Sequence, residues 1–410
     1  MYTFFYNAFI ALLSIGIHIA SPWNKKAALL RKGRKKFPEP KPGIPCIWMH
    51  SASLGEFEQG RPVIEQLRKT YPNYQIIVTF FSPSGYENKK NYGGADAVYY
   101  LPADTPLNAK KFIEAIQPTL VIWIKYDYWY HYLTTLKRMG IPVLLVSAIF
   151  RENQPFFRWY GKLWRKMLYS FKHVFVQNRH SLDLVQDLLD ENVSVNGDTR
   201  FDRVADIAMD FKEIDAIKNF CGNFRVIVAG STWEEDEAQL THLVNSRTDI
   251  KFIIAPHELT QTHLADLQRK FKNSILFSQL AQEPDAGSPV LIIDNIGMLS
   301  RLYRYGHIAY VGGGFNSSGI HNILEAAVYS IPIVFGPEYS KFVEAKALIE
   351  LLGAFSFSNV PELEKIIQEL LDDENFRLKC GDVAGNYVKA NEGATRRILD
   401  YIAANRLLTS

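Results

Sequence analysis

YVGGGFNSSGIHNILEAAVYSIPIVFGPE, residues 310–338, decides how the whole chain is read. An apolar run ending in IAYV leads into Gly312, Gly313 and Gly314, a helix is expected from near His321, and PIVFG reads as a second buried strand. Strand, glycine turn, helix and strand together make the repeating unit of a doubly wound α/β sheet. Glycines without a Cβ let the backbone approach a ligand closely. A helix starting at His321 would turn its free N–H groups and positive dipole end toward the same space. Glu325 lies about one helical turn beyond His321, where its carboxylate can accept from the paired hydroxyls of a ribose while the helix end holds phosphate. The combination points to a nucleotide, and the same turn can also simply close an ordinary strand–helix unit.

Working outward, the same alternation fills most of the chain. CIWMH, QIIVTFFS, AVYYLP, TLVIWIK, PVLLVSA, HVFVQN and VSVNG are short β-branched and aromatic runs separated by helical stretches such as GEFEQGRPVIEQLRKTYP. The rhythm pauses in a polar connector between Phe201 and Asn223, then resumes with FRVIVAGS, KFIIAPHE, SILFS, VLIID, HIAYVGG and PIVFG. From Val360 a helical tail closes the chain with no strand signal left. The expectation is α/β: two doubly wound, Rossmann-like domains facing across a cleft, at residues 41–205 and 220–385, with a helix over residues 386–410. Ligands of such sheets sit beyond the carboxyl ends of the strands.

At 410 residues the chain fits two domains of about 200 residues, each large enough for its own core. The charge is uneven. Met1 to Pro38 hold seven basic and no acidic residues, leaving −4 on the remainder against +3 for the whole. A basic charge so localised argues against a nucleic-acid partner. Cys46, Cys221 and Cys380 have neither metal-ligand spacing nor disulfide density, and nothing in the sequence has the spacing of a metal site. Phe4 to Ala20 is apolar apart from Asn7, Ser14 and His18, with cations following it rather than preceding it. Residues 1–22 are therefore read as an uncleaved anchor, spanning or lying in the interface, with the chain on the cytoplasmic face of the membrane. A first helix buried in the domain core is the other reading.

Polar residues gather where strands end. In SASLGEFEQG, Ser53 and Glu56 have capping-box spacing; beside the structural reading stands a functional one, in which Glu56, next to Gly55, is a general base. Ser82, Ser84, Gly85, Ser231 and Thr232 are N-cap hydroxyls or phosphate contacts. Lys125 and Asp127 end a very hydrophobic strand and either pair with each other or face substrate. In PFFRWYGKLWRKMLYSF, helical spacing puts Arg158, Lys162, Arg165 and Lys166 on one face, as on a solvated surface or one at lipid-headgroup level.

Together HSASLGE, FEQGRPVIEQL, TFFSPSG, LPAD, GDTRFD, AGSTWEEDE and GIHNILEAAVYSIPIVFGPE resemble, in order and spacing, the transferases that move 3-deoxy-D-manno-octulosonic acid (Kdo) from CMP-Kdo to a lipid A precursor in lipopolysaccharide synthesis. The resemblance covers nearly the whole chain and implies a two-domain GT-B glycosyltransferase of the bacterial inner membrane. It implies that Glu56 is the catalytic base, with Asp127 beside it. It puts Arg200, Ser231, Thr232, His257, Gly313, Gly314, His321, Asn322 and Glu325 at the donor nucleotide. Ser53, Gly55, Ser84, Lys125, Arg158 and Lys162 fall toward the acceptor. Two departures stand out. Lys125 replaces a usual acid, and APHELTQ lacks the arginine expected before its histidine, where His257 would serve as a weaker, pH-dependent cation. No cofactor or metal is implied: charge developing on the leaving phosphate would be met by His321, the Ser231/Thr232 loop, Arg200 or His257. Two alternatives remain open, a GT-B enzyme using a UDP-sugar with a lipid acceptor and a non-catalytic nucleotide-binding membrane scaffold.

Overall fold

The computed structural model describes residues 2–38, 43–280 and 287–409. By its internal contacts the chain divides into two units, Met1–Arg203 with Glu392–Ser410, and Val204–Asn391.

Each unit is a parallel sheet wrapped by helices. The first has β1 (Cys46–Ser51), β2 (Gln75–Phe80), β3 (Ala97–Tyr100), β4 (Pro118–Ile124), β5 (Val143–Ala148), β6 (His173–Val176) and β7 (Val193–Val195), in the order β3-β2-β1-β4-β5-β6-β7. The second has β8 (Arg225–Thr232), β9 (Ile250–Pro256), β10 (Ser274–Leu276), β11 (Val290–Ile292), β12 (Ile308–Val311), β13 (Ile333–Phe335) and β14 (Ala354–Ser356), in the order β10-β11-β9-β8-β12-β13-β14. The strands are nearly continuous apolar runs because helices cover both faces; β1 and β2 are buried at every residue. Aromatic edges lock the first core, where Trp48 meets Phe112, Trp123 and Tyr132, and its indole N–H donates to Thr79 Oγ1 at 2.8 Å. In the first sheet, neighbours β1 and β4 are where the strand order reverses, and in the second β8 and β12 play that part. The crevice at such a point is where open α/β sheets bind ligands.

Thirteen of these strands are those read from the sequence; β14 was missed, because three residues, AFS, carry too little pattern. The polar connector at 201–223 is helical instead, as Thr199–Met209 and Asp215–Cys221. The basic stretch 155–171 is not one helix. A 3₁₀ turn at Pro155–Phe157 is separated from a helix at Lys162–Leu168, because Gly161 packs so tightly that a Cβ would lie 1.9 Å from the Pro155 carbonyl oxygen. Arg158 is therefore not on a shared face with Lys162.

The last helix, Ala394–Ala404, returns to the first unit. Asp202 binds the amides of Gly393 (2.5 Å) and Thr395 (2.6 Å), and Ile398 and Ile402 are buried with Ile47, Met49 and Phe57. The helix Glu374–Asn391 before it belongs to the second unit. Tyr2–Ala20 is a single apolar helix of which only Ile10 is buried. One side is held to the first unit: Tyr6 O–H donates to Asp104 and Asn7 Oδ1 pairs with His131 Nε2 at 2.7 Å. Phe4, Phe5, Phe9, Leu12 and Ile19 face outward, each more than half exposed.

Candidate active site

In the first unit the turn after β1 and the turn after β4 put chemistry side by side. The helix Leu54–Thr70 begins at Ser53, whose hydroxyl makes no capping bond. Only half of the expected capping box forms: Glu56 reaches back, and Oε2 accepts from the Ala52 amide at 2.6 Å. Burial, followed by the negative charge of Asp127, lifts the Glu56 carboxyl to about 7, against the opposing pull of the Ala52 and Ser53 amides and of the Lys125 ammonium. A carboxylate near neutrality can take a proton at physiological pH.

Asp127 is braced rather than loose. Its Oδ2 accepts from His50 Nε2 and from Trp129 Nε1, both at 3.3 Å, and its carbonyl accepts from Trp123 Nε1. His50 is fully buried at the end of β1, with Nδ1 2.9 Å from Thr79 Oγ1. Sequence reading passed over His50; the signal was a polar residue inside the otherwise apolar run CIWMH. Lys125 sits in a left-handed backbone conformation (φ 57°), and its ammonium lies 5.6 Å from the centre of the Tyr126 ring. Lys125 and Asp127 both act on Glu56, in opposite directions. Gly55 is exposed, and a Cβ there would meet nothing within 4 Å. Among the described residues no packing demands glycine at that position.

The other acceptor-side residues come from further loops, of which the one after β2 joins this cluster where Ser82 N donates to the Ala52 carbonyl at 2.8 Å. Ser84 is exposed in the helix Pro83–Lys89 with its hydroxyl 2.8 Å from that of Ser82. Arg158 follows the 3₁₀ turn and Lys162 opens the next helix, both exposed. Arg200, expected at the donor, belongs to the first unit and is ion-paired with Asp198 at 2.8 Å.

In the second unit the glycine turn after β12 is tightly packed. A Cβ on Gly312 would lie 2.3 Å from the Ser231 carbonyl oxygen, on Gly313 (φ 93°) 2.6 Å from that of Gly319, and on Gly314 2.7 Å from the Gly336 backbone. The space that their missing Cβ atoms leave is taken by the protein's own backbone. Two of their polar groups hold the loop together: Gly313 N–H donates to Asp236 Oδ2 at 2.8 Å, and the Gly314 carbonyl accepts from Glu338 N at 2.8 Å. The helix expected from His321 is only Leu324–Ala327, because Ser330 turns left-handed (φ 56°) before Pro332. So short a helix offers little dipole to an anion, and what gathers there is side chains.

Those side chains converge. His257 stacks on Trp233 with ring centres 4.3 Å apart, and His321 lies 4.7 Å from His257. Trp233 Nε1 donates to His321 Nε2 at 3.0 Å, which leaves the proton of the neutral ring on Nδ1. Burial and the neighbouring His257 push His321 down to about 4, so it is uncharged at neutral pH. Asn322 Nδ2 donates to Glu325 Oε1 at 3.2 Å, orienting the carboxylate expected at the ribose. Ser231 (φ 54°) marks the bulge where β8 shifts register against β9. Thr232 is buried and its hydroxyl donates to Glu237 at 3.2 Å, so it braces the site from below rather than offering a phosphate donor. Asp236 was not anticipated: buried, it accepts from Trp233 N, Gly313 N and Tyr310 O–H, tying the loops after β8 and β12 together. Beside Thr232 and Trp233 a pocket of about 250 Å³ is lined by Glu234, Glu235, Glu258 and His263. Its three carboxylates disfavour an anionic donor there. Among the described residues no three His, Cys, Asp or Glu side chains are grouped to hold a metal.

Comparison with known proteins agrees with this architecture. Residues 23–203 match the family model described as 3-deoxy-D-manno-octulosonic-acid transferase (kdotransferase). The chain is similar to 3-deoxy-D-manno-octulosonic acid transferases of Haemophilus influenzae (27% identity over 376 residues, 87% of this chain and 86% of the relative), Chlamydia trachomatis (27%, 85% and 83%) and Aquifex aeolicus (27%, 80% and 86%). In fold it is similar to UDP-GlcNAc 2-epimerase from Neisseria meningitidis (TM-score 0.62, 15% identity, covering 88% of this chain and 100% of that one). It is likewise similar to MurG from Acinetobacter baumannii (TM-score 0.56, 13% identity, 88% and 99%). Two doubly wound sheets, a match of residues 23–203 to the Kdo transferase family model and relatives of that one description across most of the chain lead to one statement: the chain is similar in sequence to the Kdo transferases and has a two-sheet fold of the GT-B type.

Proposed function

We propose that the protein transfers Kdo from CMP-Kdo to a hydroxyl of a lipid A precursor, with inversion and without a metal, on the cytoplasmic face of the inner membrane. The observation that carries this reading is the Glu56 carboxyl, held at the mouth of the first sheet with its proton affinity raised to about 7. Glu56 takes the proton from the acceptor hydroxyl as that oxygen attacks the anomeric carbon; the bond to the CMP phosphate breaks and CMP leaves with the electron pair. Asp127 keeps Glu56 basic, and His50 and Trp129 keep Asp127 in place. At the donor, Glu325 accepts from the ribose and His321 offers its Nδ1 proton as a neutral donor, with His257 beside it. The exposed apolar side of Tyr2–Ala20 and the basic residues after it hold the enzyme at the membrane.

Glu56→Gln tests the assignment, because glutamine keeps the size and can still accept from Ala52 N. Folding should hold by thermal melting while turnover of CMP-Kdo falls roughly 100-fold or more. Near-normal turnover at saturating substrate would remove Glu56 from the role of base.

A further inference from the structure

Apart from the Glu56 cluster, the first unit holds a pocket of about 490 Å³ between the helices Tyr130–Arg138 and Lys162–Leu168. It is lined by three cations, Lys137, Arg138 and Lys166, with the hydroxyls of Tyr130 and Thr134, and none of its lining residues among those described is a carboxylate. The cations are held by neutral partners: Lys166 Nζ donates to Tyr130 O–H at 2.7 Å and lies 5.1 Å from the centre of that ring, while Lys137 Nζ donates to the Tyr169 carbonyl at 2.6 Å. Arg138 NH2 reaches Thr135 Oγ1 at 3.4 Å. None of the three is ion-paired with a carboxylate of the described residues, whereas Arg61, Arg68, Arg203 and Arg247 all are. Like charges around one cavity repel, and an anion entering it relieves that repulsion.

The location says what kind of anion. Tyr130 and His131, which form one wall, are the residues that grip the N-terminal helix, through Tyr6 (ring centres 5.6 Å apart) and Asn7. The free side of that helix exposes Phe5, Phe9, Leu12 and Ile19. A ligand suited to both is an amphiphile, with phosphate in the pocket and acyl chains along the apolar helix; a volume in the small-molecule range admits a headgroup. We propose that this pocket binds the phosphate headgroup of an anionic membrane lipid and so fixes how the enzyme sits on the bilayer. The proposal rests on the membrane-bound reading of the N-terminal helix and not on the transfer chemistry.

The test uses the full chain and no turnover. Binding is measured by co-sedimentation with vesicles of phosphatidylcholine alone or mixed with phosphatidylglycerol, and by calorimetric titration with soluble dihexanoyl-phosphatidylglycerol. The variant Lys137→Gln/Arg138→Gln/Lys166→Gln is compared with Lys212→Gln/Lys346→Gln/Lys379→Gln, which removes equal charge from exposed positions of the second unit. Expected are saturable one-to-one binding of the short lipid to wild type, loss of roughly tenfold or more of that affinity in the pocket variant only, and loss of the phosphatidylglycerol enhancement in the same variant. Should the pocket variant melt abnormally, Arg138→Gln alone, at an exposed position, is expected to weaken the short lipid measurably. Equal losses in both triple variants would mean diffuse surface charge and overturn the site. Unchanged binding in the pocket variant would overturn it as well, and inorganic phosphate binding as tightly as the short lipid would overturn the lipid as its source.

Discussion

At the scale of single residues the account turns on a carboxylate kept away from its ordinary state. Glu56 is raised to about 7 by burial and by Asp127, so it is largely protonated in mild acid and ionises across neutrality. Because its folded value lies above the unfolded one, its contribution to stability is present in full at acidic pH and is lost as the pH climbs through about 7. Activity should run the other way, rising with pH as the base form appears. Asp127→Asn removes the negative neighbour while keeping an acceptor for His50 and Trp129. The acidic limb of the kcat/KM profile should then move to lower pH, with the maximal rate reduced; a limb that stays in place would mean that Glu56 is not the group being titrated. Gly55 offers a second test, since none of the described residues occupies the space its Cβ would fill. Gly55→Ala should leave melting unchanged or raise stability by up to about 1 kcal/mol, as alanine favours a helix. Transfer to the lipid acceptor should fall nonetheless; full activity would show that the space is not used by substrate.

At the scale of elements, what was legible in the sequence was whatever repeats. Parallel strands buried on both faces read as apolar runs, so the strands from CIWMH to PIVFG stood out, while three-residue β14 did not. Glu56, Asp127, His321 and Glu325 were legible as polar residues at strand ends. Their partners were not: His50 and Thr79 meet across β1 and β2, and Asp236 joins two loops separated by 77 positions from itself to Gly313. The packing of the glycine turn was hidden for a related reason, because sequence shows that a Cβ is missing but not that Ser231, Gly319 and Gly336 fill its place. Nor could composition show that the apolar N-terminal helix lies along the first unit through Tyr6, Asn7 and Ile10. Its outward side is the part left exposed. Phe5→Glu/Phe9→Glu alters exposed positions only, so melting should hold while the protein shifts from the membrane to the soluble fraction. Retention on membranes would place the helix's apolar side against something other than lipid.

At the scale of the whole molecule, two doubly wound units share one chain whose last helix returns to the first. Each sheet has a reversal of strand order, at β1/β4 and β8/β12, and the candidate residues follow those strands. In this account one unit supplies the base and the other the nucleotide contacts, so activity needs the intact chain with donor and lipid acceptor present together. The central claim is Kdo transfer from CMP-Kdo to a lipid A precursor, and mass spectrometry of the product formed by purified full-length protein with CMP-Kdo and a tetra-acylated lipid A precursor tests it most directly. The account predicts an acceptor carrying added Kdo, with release of CMP, and no product when UDP-sugars replace CMP-Kdo. Turnover of a UDP-sugar with none of CMP-Kdo would contradict it.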